Sequence, residues 1–334
     1  MSGLSIVKEG TGVVIKYGDV ILGLDVGHPG STTLLSHGHF DHLGRIQMAR
    51  EVITTQGTLD VFRARGGRVK WQTTIAEYNE TMFHESAMIT PIDAGHVLGS
   101  AMFLIEFNDG MRLLYTGDFN NVDSIVHKAA SAVDADVLVT EATYGTPEWE
   151  FPERAQTHSR IIAKAEEELS AGRIPRFKAY SLGKAQEAIA LLQDNGFTVM
   201  TGNGTIDAVS RAYTKHGNEL NFVPTNKSTV RRLTTEDVVI VSSSPGHMRR
   251  RLVKLLGSLI TRDLESKTVD YDLSGWTLTD QGRKGFPLSA HADFPGLLQF
   301  AKNVDPKIAY CFTSNASSLS EHLSSEGISS VPLE

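Results

Sequence analysis

Apolar and polar positions alternate in short runs over the first part of the chain, and a period of two predicts half-buried strands. Val20 to Leu24, Met102 to Phe107 and Met111 to Tyr115 carry this pattern, the last two separated by Asn108-Asp109-Gly110. Asp-Gly between apolar runs predicts a tight hairpin. From Arg154 to about residue 260 the texture turns helical. Ile162, Ala165 and Leu169 share one helical face, Ala185, Ile189 and Leu192 another, and Asp194-Asn195-Gly196 ends the second helix. Val238 to Val241 predicts a buried strand leading into Ser242-Ser243-Ser244-Pro245-Gly246, and a strand returns at Ile308 to Phe312, after Pro306. The order predicts an α/β insert of about 130 residues within a β-rich host. The expected bounds are 1–150 and 283–334 for the host and 151–282 for the insert.

Composition narrows the class. The 334 residues suffice for one large domain or two of ordinary size. No apolar run approaches the length of a membrane span, and Gly12-Val13-Val14-Ile15-Lys16-Tyr17 opens the chain without a charged-then-apolar leader. A soluble, cytoplasmic protein with no membrane partner is expected. The single cysteine, Cys311, excludes an internal disulfide and a thiolate cluster, so any metal falls to His and Asp. A net charge of -7 counts against a generic nucleic-acid binder. Basic clusters at Arg63, Arg65, Arg68 and Lys70 and at Arg249, Arg250, Arg251 and Lys254 run the other way, although solvated helix faces explain such runs as well.

The chemistry is concentrated in His37-Gly38-His39-Phe40-Asp41-His42, directly after the strand-like Thr33-Leu34-Leu35-Ser36. Neutral imidazole nitrogens and carboxylate oxygens are the donors zinc prefers, and alternation along a short loop can split them between two neighbouring ions. A surface turn rich in histidine is the plain alternative. A metal site needs further ligands, best held at strand ends. His96 in Ala94-Gly95-His96-Val97-Leu98-Gly99-Ser100 and Asp118 after Tyr115-Thr116-Gly117 fit, and Asp25, closing Leu22-Gly23-Leu24, could orient the ligand loop through an imidazole N–H. Taken singly, each is more often a turn or cap residue than a ligand.

The order and surroundings of these residues resemble the metallo-β-lactamase superfamily. That resemblance implies an α/β protein, an αββα sandwich, with His37, His39 and His96 on one ion, Asp41 and His42 on another, and Asp118 on both. Val137 to Gly145 with Glu141, Ala179-Tyr180-Ser181-Leu182-Gly183-Lys184-Ala185-Gln186-Glu187, Ser244-Pro245-Gly246 followed by Leu273-Ser274-Gly275-Trp276, and Leu288-Ser289-Ala290-His291-Ala292-Asp293 are similar to the motifs of its β-CASP nucleases, which carry an inserted α/β β-CASP domain. The chain departs from them at Thr313-Ser314-Asn315, where RNA-acting members place a His turn and DNA-acting members an apolar residue. One tightly held Zn2+ and a second, weaker one are therefore implied, with Mn2+ as a substitute.

The resemblance implies a phosphodiesterase acting on single-stranded RNA or DNA, with RNA processing narrowly preferred to the DNA exonuclease reading. Asp41, Glu141 and His291 are then the catalytic residues, His291 oriented by Glu141 to serve the leaving group. Amides and side chains at Ser181, Gly183, Lys184 and Gly246 are candidate phosphate contacts at helix starts. Two other classes stay open: a small-molecule thioesterase or lactonase, and a non-catalytic processing subunit. A homodimer is compatible with all of them.

Overall fold

The computed structural model describes residues 3–280 and 282–334, which form two compact units. Among the described residues, the first comprises 3–123, 127–150 and 290–334, and the second 124–126, 151–280 and 282–289. The chain leaves the second unit at Ser289, not at the expected 282, because Gly285–Phe286 forms a short edge strand parallel to Thr268–Leu273. A two-residue strand is too brief to leave a periodicity in the sequence.

The first unit is built on two sheets. In the first, Leu4–Glu9, Gly12–Tyr17, Val20–Leu24, Thr32–Leu34, Glu51–Thr54 and Gln72–Ile75 lie side by side in chain order. The second sheet runs from Ser330–Pro332 through Ile308–Phe312, Val137–Glu141, Arg112–Tyr115, Ala101–Phe107 and Ala87–Asp93 to Met82–His84. Alternation sets which side chains meet. Val13, Ile15, Leu22, Leu24, Leu34 and Ile53 of the first sheet share one buried cluster with Phe103, Ile105, Leu113, Tyr115, Val137 and Val139 of the second. Val52 points the other way, into a small cluster with Leu35, Ile46 and Ala49. Removing each such side chain from water contributes about 1.5–3 kcal/mol, so this shared core is what holds the two sheets face to face in an αββα-type sandwich. The predicted hairpin forms around Gly110, whose φ of +83° suits the turn. Ile308–Phe312 pairs in parallel with Val137–Glu141, so the returning chain completes the sheet that the earlier segment began.

The second unit holds a wholly parallel sheet in the order Val223–Pro224, Val199–Thr201, Val239–Ser242, Ile174–Lys178, Thr268–Leu273, Gly285–Phe286. Its central strands are buried throughout, as a sheet covered on both faces requires. Arg176 is buried within it and is tolerated because Asp270 and Glu265 meet its guanidinium at 2.6 and 2.7 Å. The helix Arg154–Ser170 buries Thr157, Ile161, Ala165 and Glu168, whereas Ile162 and Leu169 of the predicted face are only half-buried. Glu168 moves the face round because it accepts a hydrogen bond from Tyr271 at 2.7 Å and pairs with Arg173, so a carboxylate occupies what periodicity assigns to an apolar residue. Lys184–Asp194 is buried from Lys184 to Leu192 and ends at Asn195-Gly196.

One close approach in the first unit bears on the chemistry. Gly57, in the first turn of the helix Gln56–Ala64, lies against Gly99, so that a Cβ on Gly99 would run into the Gly57 backbone and the Thr58 amide. Gly99 also holds φ at +80°, and its carbonyl accepts from Thr55 and Thr58. The turn carrying His96 is thereby clamped to that helix. Gly99→Ala is expected to destabilise the protein by more than about 2 kcal/mol, read as a fall in the urea midpoint, whereas Gly110→Ala, at the open hairpin tip, costs about 1 kcal/mol.

Candidate metal centre

Strand ends deliver the polar residues to one place. His37 and His42 follow Thr32–Leu34, His96 lies between Ala87–Asp93 and Ala101–Phe107, Asp118 follows Arg112–Tyr115, and Glu141 ends Val137–Glu141. His37, His39, His96 and Asp118 each place one ligand atom within 4.8 Å of the others. His39 Nδ1 faces His37 Nε2 at 2.9 Å and His96 Nε2 at 3.1 Å. Around Asp118 Oδ2 stand His42 Nε2 at 3.2 Å, His37 Nε2 at 3.5 Å, His96 Nε2 at 3.7 Å and His291 Nε2 at 3.9 Å.

The outer hydrogen bonds decide which ring nitrogens carry protons. Asp25, buried and at φ +55°, accepts from Ser36 N at 2.6 Å, Ser36 Oγ at 2.5 Å, Tyr115 OH at 2.8 Å and His42 Nδ1 at 2.7 Å. Having given its one proton to Asp25, the Ser36 hydroxyl must accept at its other contact, so His37 Nδ1 donates to it at 2.9 Å. His96 Nδ1 donates to the Ala290 carbonyl at 2.8 Å. The Nε2 lone pairs of His37, His42 and His96 are therefore turned inward.

Electrostatics agrees with that assignment for His37 and His96, whereas His42 beside two carboxylates keeps a proton that a bound cation would displace. Burial pushes His37, His39 and His96 down, His39 to about 3, so all three are neutral near pH 7. Burial acts on Asp118 in the opposite sense, but the charges of His42 and His291 outweigh it and hold the carboxyl well below the usual carboxylate range. His42 is likewise opposed by burial and lifted above its ordinary value by Asp118 and Asp25. Lone pairs of three neutral imidazoles converging beside an ionised carboxylate would repel one another unless a cation lay among them. The donor set fits a divalent metal, four nitrogen and oxygen ligands being what zinc takes.

The other residues named from the sequence are placed less uniformly. Asp41 is mostly exposed, its carboxylate 3.9 Å from His42 Nε2 and outside the inner cluster. His291 Nδ1 faces both Glu141 oxygens at 3.0 Å, and Glu141 also accepts from Phe119 N at 2.8 Å. Asp293 caps the helix Phe294–Val304, accepting from Gly296 N. The Gly183 amide is not open to a phosphate, because Gln186 Oε1 accepts from it at 2.9 Å and the Ser181 carbonyl accepts from Gln186 Nε2. Lys184 is buried, its ammonium 4.7 Å from the Tyr180 ring and pulled down to about 8 by burial. Gly246 stays exposed in the first turn of Pro245–Leu256.

Three contributors escaped the sequence reading: Ser36, Tyr115 and the Ala290 carbonyl. Only Ser36 left a signal, as a hydroxyl adjoining the ligand loop. Thr313 and Asn315 turn away from the centre, Thr313 Oγ1 accepting from Ala142 N at 2.9 Å and Asn315 Nδ2 donating to the Thr143 carbonyl at 2.8 Å, while Ser314 is exposed. None of them fills the position of the missing histidine. Asp25→Asn, which keeps the shape but cannot accept from all four donors, is expected to weaken divalent-metal affinity about 10- to 100-fold, measured by competition with a chromophoric chelator.

Comparison with known proteins agrees with the geometry. Residues 24–176 match the beta-lactamase superfamily domain. A probable DNA ligase of Opitutus terrae is 27% identical over 91% of this chain, which covers 29% of that protein. An endoribonuclease of Neurospora crassa is 38% identical over 35% of this chain and 14% of its own length, and an RNase J-like protein of Methanocaldococcus jannaschii 27% identical over 48% and 43%. The chain thus spans less than half of each of these relatives. A crystal structure of a protein of unknown function from Enterococcus faecalis V583 superposes with a TM-score of 0.62 at 12% identity, covering 98% of this chain and 96% of that one, which speaks for the fold alone. With the matched domain reaching from Asp25 to beyond Glu141, residues 24–176 resemble the beta-lactamase superfamily domain, and the similarity to these nucleases supports the chain's resemblance to the β-CASP group.

Proposed function

We propose that the protein is a metal-dependent nuclease that hydrolyses phosphodiester bonds of single-stranded nucleic acid. One observation carries the reading: His291 Nε2 lies 3.9 Å from Asp118 Oδ2, beside the inward-facing imidazoles, with Glu141 gripping its other nitrogen. A positioned proton carrier next to a cation-holding donor set is what cleavage of a poorly leaving alkoxide requires. Hydrolysis of a thioester, which expels a thiolate, makes no such demand on a second acid. The small-molecule reading therefore ranks below the nuclease, and the intact donor set ranks the scaffold reading lower still.

His37, His39, His96 and Asp118 would hold one Zn2+, and His42, Asp41 and Asp118 a second ion, Zn2+ or Mn2+. When bound, such cations lower the pKa of water and offset charge on phosphate oxygens. The chain supplies the rest. His291 Nε2 delivers a proton to the leaving oxygen, and Glu141, accepting at Nδ1, keeps the ring from turning away. Burial of His37, His96 and Asp118 excludes bulk water from one side of the centre and strengthens each electrostatic contact. A run from Pro245 to Arg262 with five Arg and Lys residues and no carboxylate offers a local attraction for phosphates that the net charge of -7 hides.

The motifs narrowly prefer RNA, whereas the match over 91% of the chain favours DNA as the substrate to test first. The relative aligned over nearly the whole chain is named a probable DNA ligase, whereas the ribonucleases align over 35% and 48% of it. Thr313-Ser314-Asn315 also lacks the His turn of the RNA-acting members. RNA remains the second reading, carried by those shorter matches. Matched single-stranded DNA and RNA oligonucleotides incubated with Zn2+ or Mn2+ decide between them: faster loss of DNA is expected, loss of RNA alone selects the second reading, and turnover of a thioester with both strands left intact overturns the nuclease. His291→Ala is expected to lower kcat about 10²- to 10⁴-fold with metal content unchanged. Elemental analysis after chelator-free dialysis is expected to find one equivalent of metal, because Asp41 is exposed and Thr313 and Asn315 are turned to backbone partners at the second position; two retained equivalents contradict this.

A further inference from the structure

Phe40 is an apolar side chain left in water at the centre of the polar loop. It lies between His39 and Asp41, opens the 3-10 turn Phe40–Leu43, and is 64% exposed. One face of its ring is covered by Arg65, whose guanidinium carbon lies 3.9 Å from the ring centroid. Arg65 is anchored in turn: it caps the C-terminal end of the helix Gln56–Ala64 and donates through Nη1 to the Gly38 carbonyl of the same loop. The helix that clamps the His96 turn thus also carries the guanidinium that backs Phe40.

A flat aromatic ring, stacked on a cation on one side and exposed to solvent on the other, presents a π surface that any nucleobase can cover. Burial of the surrounding core does not require the ring, and a hydrophobic contact with a protein partner would not require the guanidinium behind it. We propose that Phe40, backed by Arg65, is the stacking platform for a nucleobase adjoining the phosphodiester bond that is cut. The inference rests on the nuclease reading and adds to it a residue that positions substrate. It predicts tolerance of base identity, since stacking reads a ring face and not its hydrogen-bonding edge.

The test uses the full chain, wild type and the variants Phe40→Ala and Phe40→Trp, on single-stranded oligonucleotides in which one abasic residue is moved stepwise along the strand. Phe40→Ala is expected to keep wild-type metal content and to lose about 5- to 150-fold in kcat/KM on intact strands, the range that base–aromatic stacking spans, chiefly through KM. Phe40→Trp is expected to recover most of that loss. At one abasic position near the cleaved bond the wild type falls by a similar factor while Phe40→Ala falls no further. Equal additional loss in both proteins at every abasic position overturns the platform and leaves the nuclease standing, as does loss of metal in Phe40→Ala, which would make the ring a support for the ligand loop. A metal-loaded wild type that cuts neither DNA nor RNA removes both readings.

Discussion

Four hydrogen bonds into the buried carboxylate of Asp25 organise everything else at the centre. A carboxylate in that setting is a pure acceptor, and each donor it captures is committed in direction. Tyr115 ties it to the second sheet, Ser36 to the start of the ligand loop, and His42 to the loop's far end. The consequence travels outward by proton counting: Ser36 spends its proton on Asp25, so His37 must spend its own on Ser36, and His42 spends Nδ1–H on Asp25 directly. The lone pairs pointing inward are thus fixed by a residue that is itself turned away from them. Asp25 holds φ at +55° to do this, a conformation that costs energy in a side-chain-bearing residue and is maintained by the four bonds that depend on it.

The remaining donors reach the same spot from independent supports. His96 is held by the Ala290 carbonyl and by the Gly57–Gly99 contact, and His291 by Glu141, which Phe119 N steadies. Sheet pairing makes this possible, because Val137–Glu141 and Ile308–Phe312 are neighbours across a long excursion of the chain. Residues near 37, 96, 118, 141 and 291 therefore meet beside the strand ends of the two sheets within a single unit. A bound divalent cation would tie these segments together and contribute its binding free energy to their packing.

What could be read from the sequence followed from how local each signal was. The hairpin at Gly110 and the strand Ile308–Phe312 are written in consecutive residues, and both form as the pattern suggests. Tyr115 could not be singled out, because its hydroxyl matters only once its strand is placed opposite Asp25. The buried face of Arg154–Ser170 departs from the apolar pattern because apolarity stands for burial only until a buried carboxylate such as Glu168 finds partners. Gly183 invited a phosphate on the strength of its type and position before a helix, yet its amide already serves Gln186. Such satisfaction of a donor by a side chain three residues on is a matter of rotamer choice, which a sequence pattern does not carry.

Asp118 Oδ2 is the one atom that both halves of the chemistry share. It lies within 4 Å of His37, His42 and His96 on one side and of His291 on the other. The positions that would hold a cation and the nitrogen that would deliver a proton are therefore set by a common reference, and a displacement of the carboxylate moves both together. On the opposite flank, Thr313 sits at φ +79°, strained for a β-branched residue, with its hydroxyl accepting from Ala142 N, directly after Glu141. There the chain gives up an imidazole and gains a brace for the residue that orients His291. On the proposed reading, that exchange would favour proton delivery over retention of a second ion, and it would tie the proposed weaker metal position and the Glu141–His291 pair to the same local choice of residues.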